Sequence, residues 1–263
     1  MYNCVGFIKE AIDSVLGQTM SDFEVVVVDN CSTDGTLDVV RAYKDPRIRI
    51  IQNESNIGMV GNFNKAALSA RGKYVKILPA DDLLYPQCLK LQSDVLEDDP
   101  NEKIALVCGT RQVLNDAGKV LFKRGFAGGR VQLSGTEAIN RVIRSGGNII
   151  GEGGAVMFRR TILEKTGGFD SKIFYVLDLD QWFKILLHGD LVALPQIVAG
   201  FRVSAGSASV QVANKQKEDY FNFIDLVRSR PGYGLTAYSY RLGKLKTAAL
   251  TEVKKLIYRF VVK

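Results

Sequence analysis

The segment Phe23–Asp29, FEVVVVD, is a nearly continuous β-branched run closed by a charge. Such a run suits a strand covered on both faces, because a strand with one wet face alternates apolar and polar residues. NCSTDGT follows, dense in turn formers, and LDVVRAY then resumes helical spacing. A doubly covered strand that feeds a helix through a polar turn commits the chain to a layered α/β fold.

The first half repeats this unit. Arg47–Asn53 reads as a second strand, and GNFNKAALSARG as a helix ending at Gly72 with Arg71 in its last turn. KYVKILPADD reads as a third strand running into two adjacent acids. QCLKLQSDVLEDDP is a helix stopped by Pro100, and KIALVCGTRQVL is a fourth strand. Phe7–Leu16 has the apolar spacing of a helix that enters the domain after only six residues. The alternation predicts a mostly parallel central sheet flanked by helices.

The second half is less regular. NDAGK predicts a hairpin turn, GTEAINRVIRSG a helix with Thr136 as its cap, and GEGGAVMFRR a glycine-rich loop entering a strand. TILEKTGGF is a helix ended by Gly167, DLDQWFKILLHGD is another, and LVALPQIVAGFRV is strand-like but broken by Pro195. Beyond Ser204 the chain turns helical and polar, then basic. Pro231–Gly234 reads as the linker into that tail.

Composition excludes several chemistries. Cys4, Cys31, Cys88 and Cys108 form no C-x-x-C pair, and the single histidine, His188, completes no zinc site by spacing. One histidine also argues against Ser-His or Cys-His catalysis. No G-x-G-x-x-G follows the first strand, and NIGMVGN lacks the Lys-Ser/Thr of a phosphate loop. No apolar run approaches the roughly 18–20 residues that span a bilayer, and charges interrupt the N-terminal segment, so no signal peptide is visible. The reading is of a cytoplasmic chain with reduced thiols. The net charge is +7, yet nine basic residues stand against Glu252 alone from Arg228 onward. A basic tail on a neutral body points to an anionic surface, not to nucleic acid. LTEVKKLIYRFVV, with Leu250, Val253, Leu256, Ile257, Phe260 and Val261 along one stripe, fits either contact with the inner face of the plasma membrane or packing on the domain.

Ligands of open α/β sheets bind at the carboxyl ends of strands, and three acidic clusters fall there: Asp29-Asn30, Asp81-Asp82, and Asp178 with Asp180. Adjacent Asp81 and Asp82 repel unless a cation or strong donors neutralise them, and a hard divalent ion takes such oxygens together with phosphates. The plainer alternative is that one of them caps the helix after Pro86. Asp29 ends a buried strand, where an uncompensated charge is costly; it suits a base N–H or a ribose hydroxyl. Ser32, Thr33 and Asp34 are capping candidates for the next helix. Asp178 and Asp180, two apart, do not share a helix face, so one at most points into a site. Both also suit an acidic helix N-terminus.

In this order, FEVVVVDNCSTDGT, NIGMVGNFNKA, ARGKYVKILPADDLLYP and GGFDSKIFYVLDLDQWFKILLHGD resemble glycosyltransferase family 2 over roughly residues 1–210. GEGGAVMFRR and GFRVSAGSAS resemble the bacterial members that build surface polysaccharides. The resemblance implies a GT-A fold and an inverting sugar transferase with a nucleotide-sugar donor and a divalent metal, Mn²⁺ or Mg²⁺. It implies that Asp29 and Asn30, with Tyr2 and Asn3, hold the donor; many members have Asp where Asn30 stands. Asp82 would ligate the metal within Ala80-Asp81-Asp82, and Asp81 would serve ribose or metal. Asp178 matches the catalytic base, with Asp180 as the fallback, and Glu152 and Trp182 fall on the acceptor side. Ser204 stands where the family often has histidine. The acceptor would be a saccharide or lipid-linked saccharide.

The implied layout is a catalytic domain over 1–210, with a nucleotide half at 1–110 and an acceptor half at 111–210, and a basic helical extension over 211–263. Family members carry an apolar strand before P-x-Y-N, and Met1 occupies the x, so the first strand is expected to be missing from this chain. Two rivals are a nucleotidyltransferase, which needs a triphosphate loop the sequence does not show, and a truncated homologue that only binds nucleotide or a partner.

Overall fold

The computed structural model describes residues 1–203 and 215–261. Its elements run α1 (Val5–Leu16), β1 (Val25–Asp29), α2 (Thr36–Arg41), β2 (Ile48–Gln52), α3 (Gly58–Ser69), β3 (Tyr74–Val75), β4 (Leu83–Leu84) and α4 (Cys88–Glu97). They continue with β5 (Ile104–Leu114), β6 (Val120–Arg124), β7 (Val131–Leu133), α5 (Gly135–Ser145), β8 (Val156–Arg159), α6 (Arg160–Thr166), α7 (Leu177–Leu186) and β9 (Asp190–Arg202). Two helices close the chain, α8 (Gln216–Ser229) and α9 (Ala237–Val261).

This is the expected α/β architecture, with one change in strand direction. β1 and β2 form a parallel pair through the α2 crossover. The second sheet has the order β3-β8-β5-β9-β4, with β6 added to β5 and β7 to β9. Its long central pair, β5 and β9, is parallel. Every other ladder in it is antiparallel: β3–β8, β4–β9, β5–β6, β5–β8 and β7–β9. The sheet is therefore mixed rather than mostly parallel. β5 explains the difference, since nine of its eleven residues from Ile104 are buried, without alternation over the first six. An unbroken apolar run reports cover on both faces, and helices supply that cover whichever way the neighbouring strands run.

Local departures have local causes. α3 stops at Ser69, not Gly72, because Ala70 turns extended and the Glu24 carboxylate takes the N–H groups of Arg71 and Gly72. α5 is capped by Ser134, not Thr136: Ser134 Oγ accepts from Glu137 N, the Ser-x-x-Glu arrangement of a capping box. Pro195 does not end β9. The strand continues past it with a register shift, Leu194 facing Gly109 and Ile197 facing Thr110, as a bulge around a residue that cannot donate allows. α4 begins after Gln87 with no side-chain cap, so neither Asp81 nor Asp82 caps it.

Pro231–Tyr233 is a short 3-10 turn between two packed helices. Tyr220, Phe223, Ile224 and Val227 of α8 belong to the same buried core as β5, β9 and α7. α9 lies on the end of α5, where Thr247 Oγ1 donates to Gly146 O at 3.3 Å. The side chains of the 253–261 stripe, and Ser204, lie outside the described residues. At the other end, the Met1 ammonium donates to Val28 O at 2.7 Å and Asn30 N donates to Met1 O at 2.9 Å. Met1 thus lies along the edge of β1 that faces away from β2. The expected first strand concerns residues before Met1.

α5 and α7 approach so closely that a Cβ on Gly135 would sit 1.8 Å from Leu186 O. Gly135→Ala is expected to lower stability by about 1–3 kcal/mol, the usual cost of overpacking, measured as a drop in the urea midpoint at unchanged slope.

Candidate active site

Three segments bring carboxylates toward one region. Asp81 and Asp82 occupy the turn ahead of β4, whose pairing with β9 carries Asp82 to Arg202. Asp82 is 3% exposed, and its Oδ1 accepts from Arg202 N at 2.8 Å. Glu152 ends the glycine-rich loop and precedes the turn into β8. Asp178 stands in the first turn of α7. Burial holds the Asp82 carboxyl well above the usual carboxylate range, and the charge of Asp81 adds to this, with smaller contributions from Glu152 and Asp178. Asp178, partly open to solvent, is pushed up to about 7, first by desolvation and then by Glu152, with Arg111 opposing. Asp81 is raised by burial too.

Cations inside the fold hold this like-charged group together. Arg111, on β5 and 1% exposed, makes an ion pair with Glu152 and donates to Asn148 O at 2.9 Å. Its Nη1 is buried without a hydrogen-bond partner among the described residues. Arg202 donates to Asp81 O at 2.9 Å and to Asp116 O at 2.9 Å, and pairs with Glu10 at 2.5 Å. It thereby ties α1 and the β5–β6 hairpin to the Asp81-Asp82 turn. Lys76 Nζ donates to Gly154 O at 2.7 Å and Val156 O at 3.0 Å, fastening the Glu152 loop to the segment that leads to Asp81. The two backbones nearly touch: a Cβ on Gly153 would lie 2.5 Å from Ile77 O.

Trp182 is wholly buried between Phe158 and Phe169, and its Nε1 donates to Gly151 O at 2.8 Å. It has no surface to offer an acceptor. Contrary to the expected acceptor-side position, the buried indole fixes the loop that bears Glu152. Asp180 is not brought to the cluster. It pairs with Lys184 at 2.5 Å one turn along α7, and its charge acts on Tyr233.

The second group of sequence candidates surrounds the end of β1. Asp29 is 0% exposed, and its carboxylate accepts from Ser32 Oγ at 2.6 Å and from Ser32 N. Asn3 N donates to Ser32 Oγ at 3.1 Å, and Thr33 N donates to Asn3 Oδ1 at 2.9 Å. Asp34 does not cap with its neighbours alone: it accepts from Thr36 N and also from Val5 N at the start of α1. Tyr2 is half-exposed beside this loop. Asn30 donates to Asn56 Oδ1 and Gly58 O and accepts from Asn53 Nδ2 and Ile57 N. Its four hydrogen-bonding positions are all in use, so it organises the 53–58 loop. Asn53 and Asn62 extend the network, and Lys65 Nζ reaches Asn53 Oδ1 at 2.7 Å.

The donor set suits a hard divalent cation, since it consists of carboxylate oxygens whose joint ionisation needs positive charge. Among the described residues no cluster of three or more His, Cys, Asp or Glu would cage an ion. A site of one or two carboxylates completed by substrate phosphates is the Mg²⁺-type arrangement that Asp82 and Asp81 fit.

Solved structures of GT-A glycosyltransferases share this two-sheet α/β fold. S. aureus TarS 1-349 in complex with UDP-GlcNAc superposes with a TM-score of 0.68 at 22% identity, over 87% of this chain and 64% of that one. The mannosyltransferase PcManGT from Pyrobaculum calidifontis, in complex with GDP-Man and Mn²⁺, gives 0.64 at 20% identity, over 95% and 71%. The family model for glycosyl transferase family 2 matches residues 1–167, and the chain belongs to that family. An uncharacterized protein of Mycobacterium tuberculosis is 30% identical over 219 residues, 81% of this chain and 68% of that protein. The hyaluronan synthase of Pasteurella multocida is 29% identical over 245 residues, 91% of this chain but 23% of that protein. The chain thus spans less than a quarter of the synthase it matches.

Arg111→Met is expected to destabilise the fold by about 3–5 kcal/mol, because Glu152 is left charged and unpaired beside Asp178. The double variant Arg111→Met/Glu152→Met is expected to recover most of that loss. Equal losses in the single and double variants, read from urea unfolding, would contradict an ion pair that matters.

Proposed function

We propose that the chain moves a sugar from a nucleoside-diphosphate donor to an acceptor hydroxyl with inversion, in the assembly of cell-surface polysaccharide. One observation carries this reading. A carboxyl raised to about 7, Asp178, stands at a helix start, is raised further by Glu152, and its charge acts in turn on Asp82. The TarS complex with UDP-GlcNAc and the PcManGT complex with GDP-Man and Mn²⁺ support a nucleotide-sugar donor and a divalent cation. The names of the hyaluronan and chondroitin synthases support a polymer product.

In this reading Asp29, Asn3 and Tyr2 face the nucleoside, and Asn30 shapes the loop beside it. Asp82 holds the cation with help from Asp81; when bound, that ion neutralises the charge that grows on the leaving diphosphate. Asp178, ionised, accepts the proton of the acceptor hydroxyl as the oxygen closes on the anomeric carbon. The sugar passes through an oxocarbenium-like state, as in glycoside hydrolysis, and a single displacement from the face opposite the diphosphate inverts the centre. No covalent nucleophile is needed. Arg111 and Glu152 set the charge around Asp178, and Asp180, neutralised by Lys184, is left out of the base role. The saccharide acceptor binds on the Glu152 side. We also read the basic C-terminal helix as a contact with an anionic membrane surface on the cytoplasmic side. Among the described residues, no helix is long and apolar enough to cross a membrane.

Release of nucleoside diphosphate from a panel of nucleotide sugars with Mn²⁺ tests the reading; no release from any donor would leave a nucleotide-binding homologue. Two variants separate the roles. Asp178→Asn is expected to cut transfer by about 10²–10⁴-fold, the usual worth of a general base, while nucleoside-diphosphate affinity stays within a few-fold of wild type. Asp82→Ala is expected to abolish the Mn²⁺-dependent part of that affinity in calorimetry. Near wild-type turnover in the first, or unchanged metal dependence in the second, removes the assignment.

A further inference from the structure

A cavity of about 500 Å³ opens between α5, α9 and the end of β6, lined by Arg141, Arg144, Lys246, Glu137, Phe126 and Ile149 among others. None of Asp29, Asp82, Glu152 or Asp178 lines it. Arg141 and Arg144 are three apart and so share one face of α5. Lys246 comes from α9, placed there by the contact of Thr247 with Gly146 O. Arg141 lies over the Phe126 ring at 5.2 Å, which holds the guanidinium without neutralising it. Arg144 spends one donor on Ser239 Oγ at 3.3 Å. Among the described residues, none of the three cations enters an ion pair, and Glu137 is the one acid in the lining.

A purely structural role covers part of this. A cation in the last turn of α5 is favoured by the helix dipole, which accounts for Arg144. It accounts neither for Arg141, a turn earlier, nor for Lys246 on another helix. Two guanidinium forks and an ammonium around one concavity repel each other and supply more donors than a single carboxylate can use. They match a phosphate. The cavity is of the size that takes a small organic ligand, well beyond a bare phosphate, and Phe126 and Ile149 give it an apolar wall. Its position is informative too. Ile149 lines the cavity, and Glu152 is three residues further on, a stretch that spans at most about 11 Å. Asn148 O, one residue before Ile149, accepts from Arg111. The cavity lining and Glu152 of the carboxylate cluster thus stand at the two ends of one short segment.

We propose that this cavity is a second binding site, which holds a phosphate group borne by the acceptor saccharide while its hydroxyl lies at Asp178. The assignment rests on the transferase reading for its occupant, and the test keeps the two apart.

Calorimetry in EDTA with glucose 1-phosphate and inorganic phosphate as probes, on the full chain, reads the cavity alone. Glucose 1-phosphate is expected to bind wild type more tightly than inorganic phosphate, and at least about tenfold more weakly to Arg141→Gln/Lys246→Gln, a loss of about 1.4 kcal/mol or more. Arg144 is kept because of its bond to Ser239. Lys246→Glu alone, at an exposed position, is the second variant should the double one fail to fold, and the same loss is expected. UDP with Mn²⁺, or GDP with Mn²⁺, is the parallel arm and is expected to bind wild type and variants alike. Equal binding of glucose 1-phosphate to wild type and variants overturns the site, as does no binding to wild type. Inorganic phosphate binding as tightly as the sugar phosphate overturns the acceptor assignment. Failure of both nucleotides on wild type overturns the transferase reading and leaves the cavity result standing.

Discussion

Gathering Asp81, Asp82, Glu152 and Asp178 in one region is the constraint around which the rest of the fold is arranged. Like charges in a poorly solvated place raise one another's proton affinity. The chain sets two interior cations against them, each from a different strand: Arg111 on β5 and Arg202 at the end of β9. Each also fixes backbone. Arg202 joins α1, the β5–β6 hairpin and the Asp81-Asp82 turn, while Lys76 and Trp182 hold the Glu152 loop from two sides. Removing one such cation does more than lose a bond; it leaves a charge without compensation.

This arrangement sets stability against activity. A carboxyl whose folded pKa lies above its unfolded value makes the folded state bind more protons between the two, so folding stability falls as pH rises through that window. For Asp178 the window runs from the ordinary carboxylate range up to about 7. The same ionisation that costs stability produces the base that the proposed transfer uses.

Much of this was legible in the sequence, for identifiable reasons. FEVVVVD, KIALVCGTRQVL and LVALPQIVAGFRV all form strands, because continuous apolar runs with turn residues at their ends have few other solutions. Those runs did not show strand direction, since β5 is equally buried on both faces with β9 parallel to it and β6 and β8 antiparallel. The acids at strand ends were legible as a set. Their supports were not: Arg111, Arg202 and Lys76 are single charges in apolar strands, a pattern that signals an interior partner without naming it. Trp182 was placed on the acceptor side by the family resemblance, yet on α7 it is buried in the core. Asn30 read as a donor contact, and only the network with Asn53, Asn56 and Ile57 shows its bonds already taken.

Whether its surroundings hold the Asp178 carboxyl's titration near pH 7 can be tested without knowing donor or acceptor. The direct measurement is a ¹³C NMR titration of aspartate-labelled protein, with the Asp178 signal identified by its loss in Asp178→Asn. A midpoint near 7 is expected, moving to lower pH in Glu152→Gln, where a negative neighbour is gone and Arg111 is freed. A midpoint at the ordinary aspartate value of about 3.9, unmoved by Glu152→Gln, would contradict it.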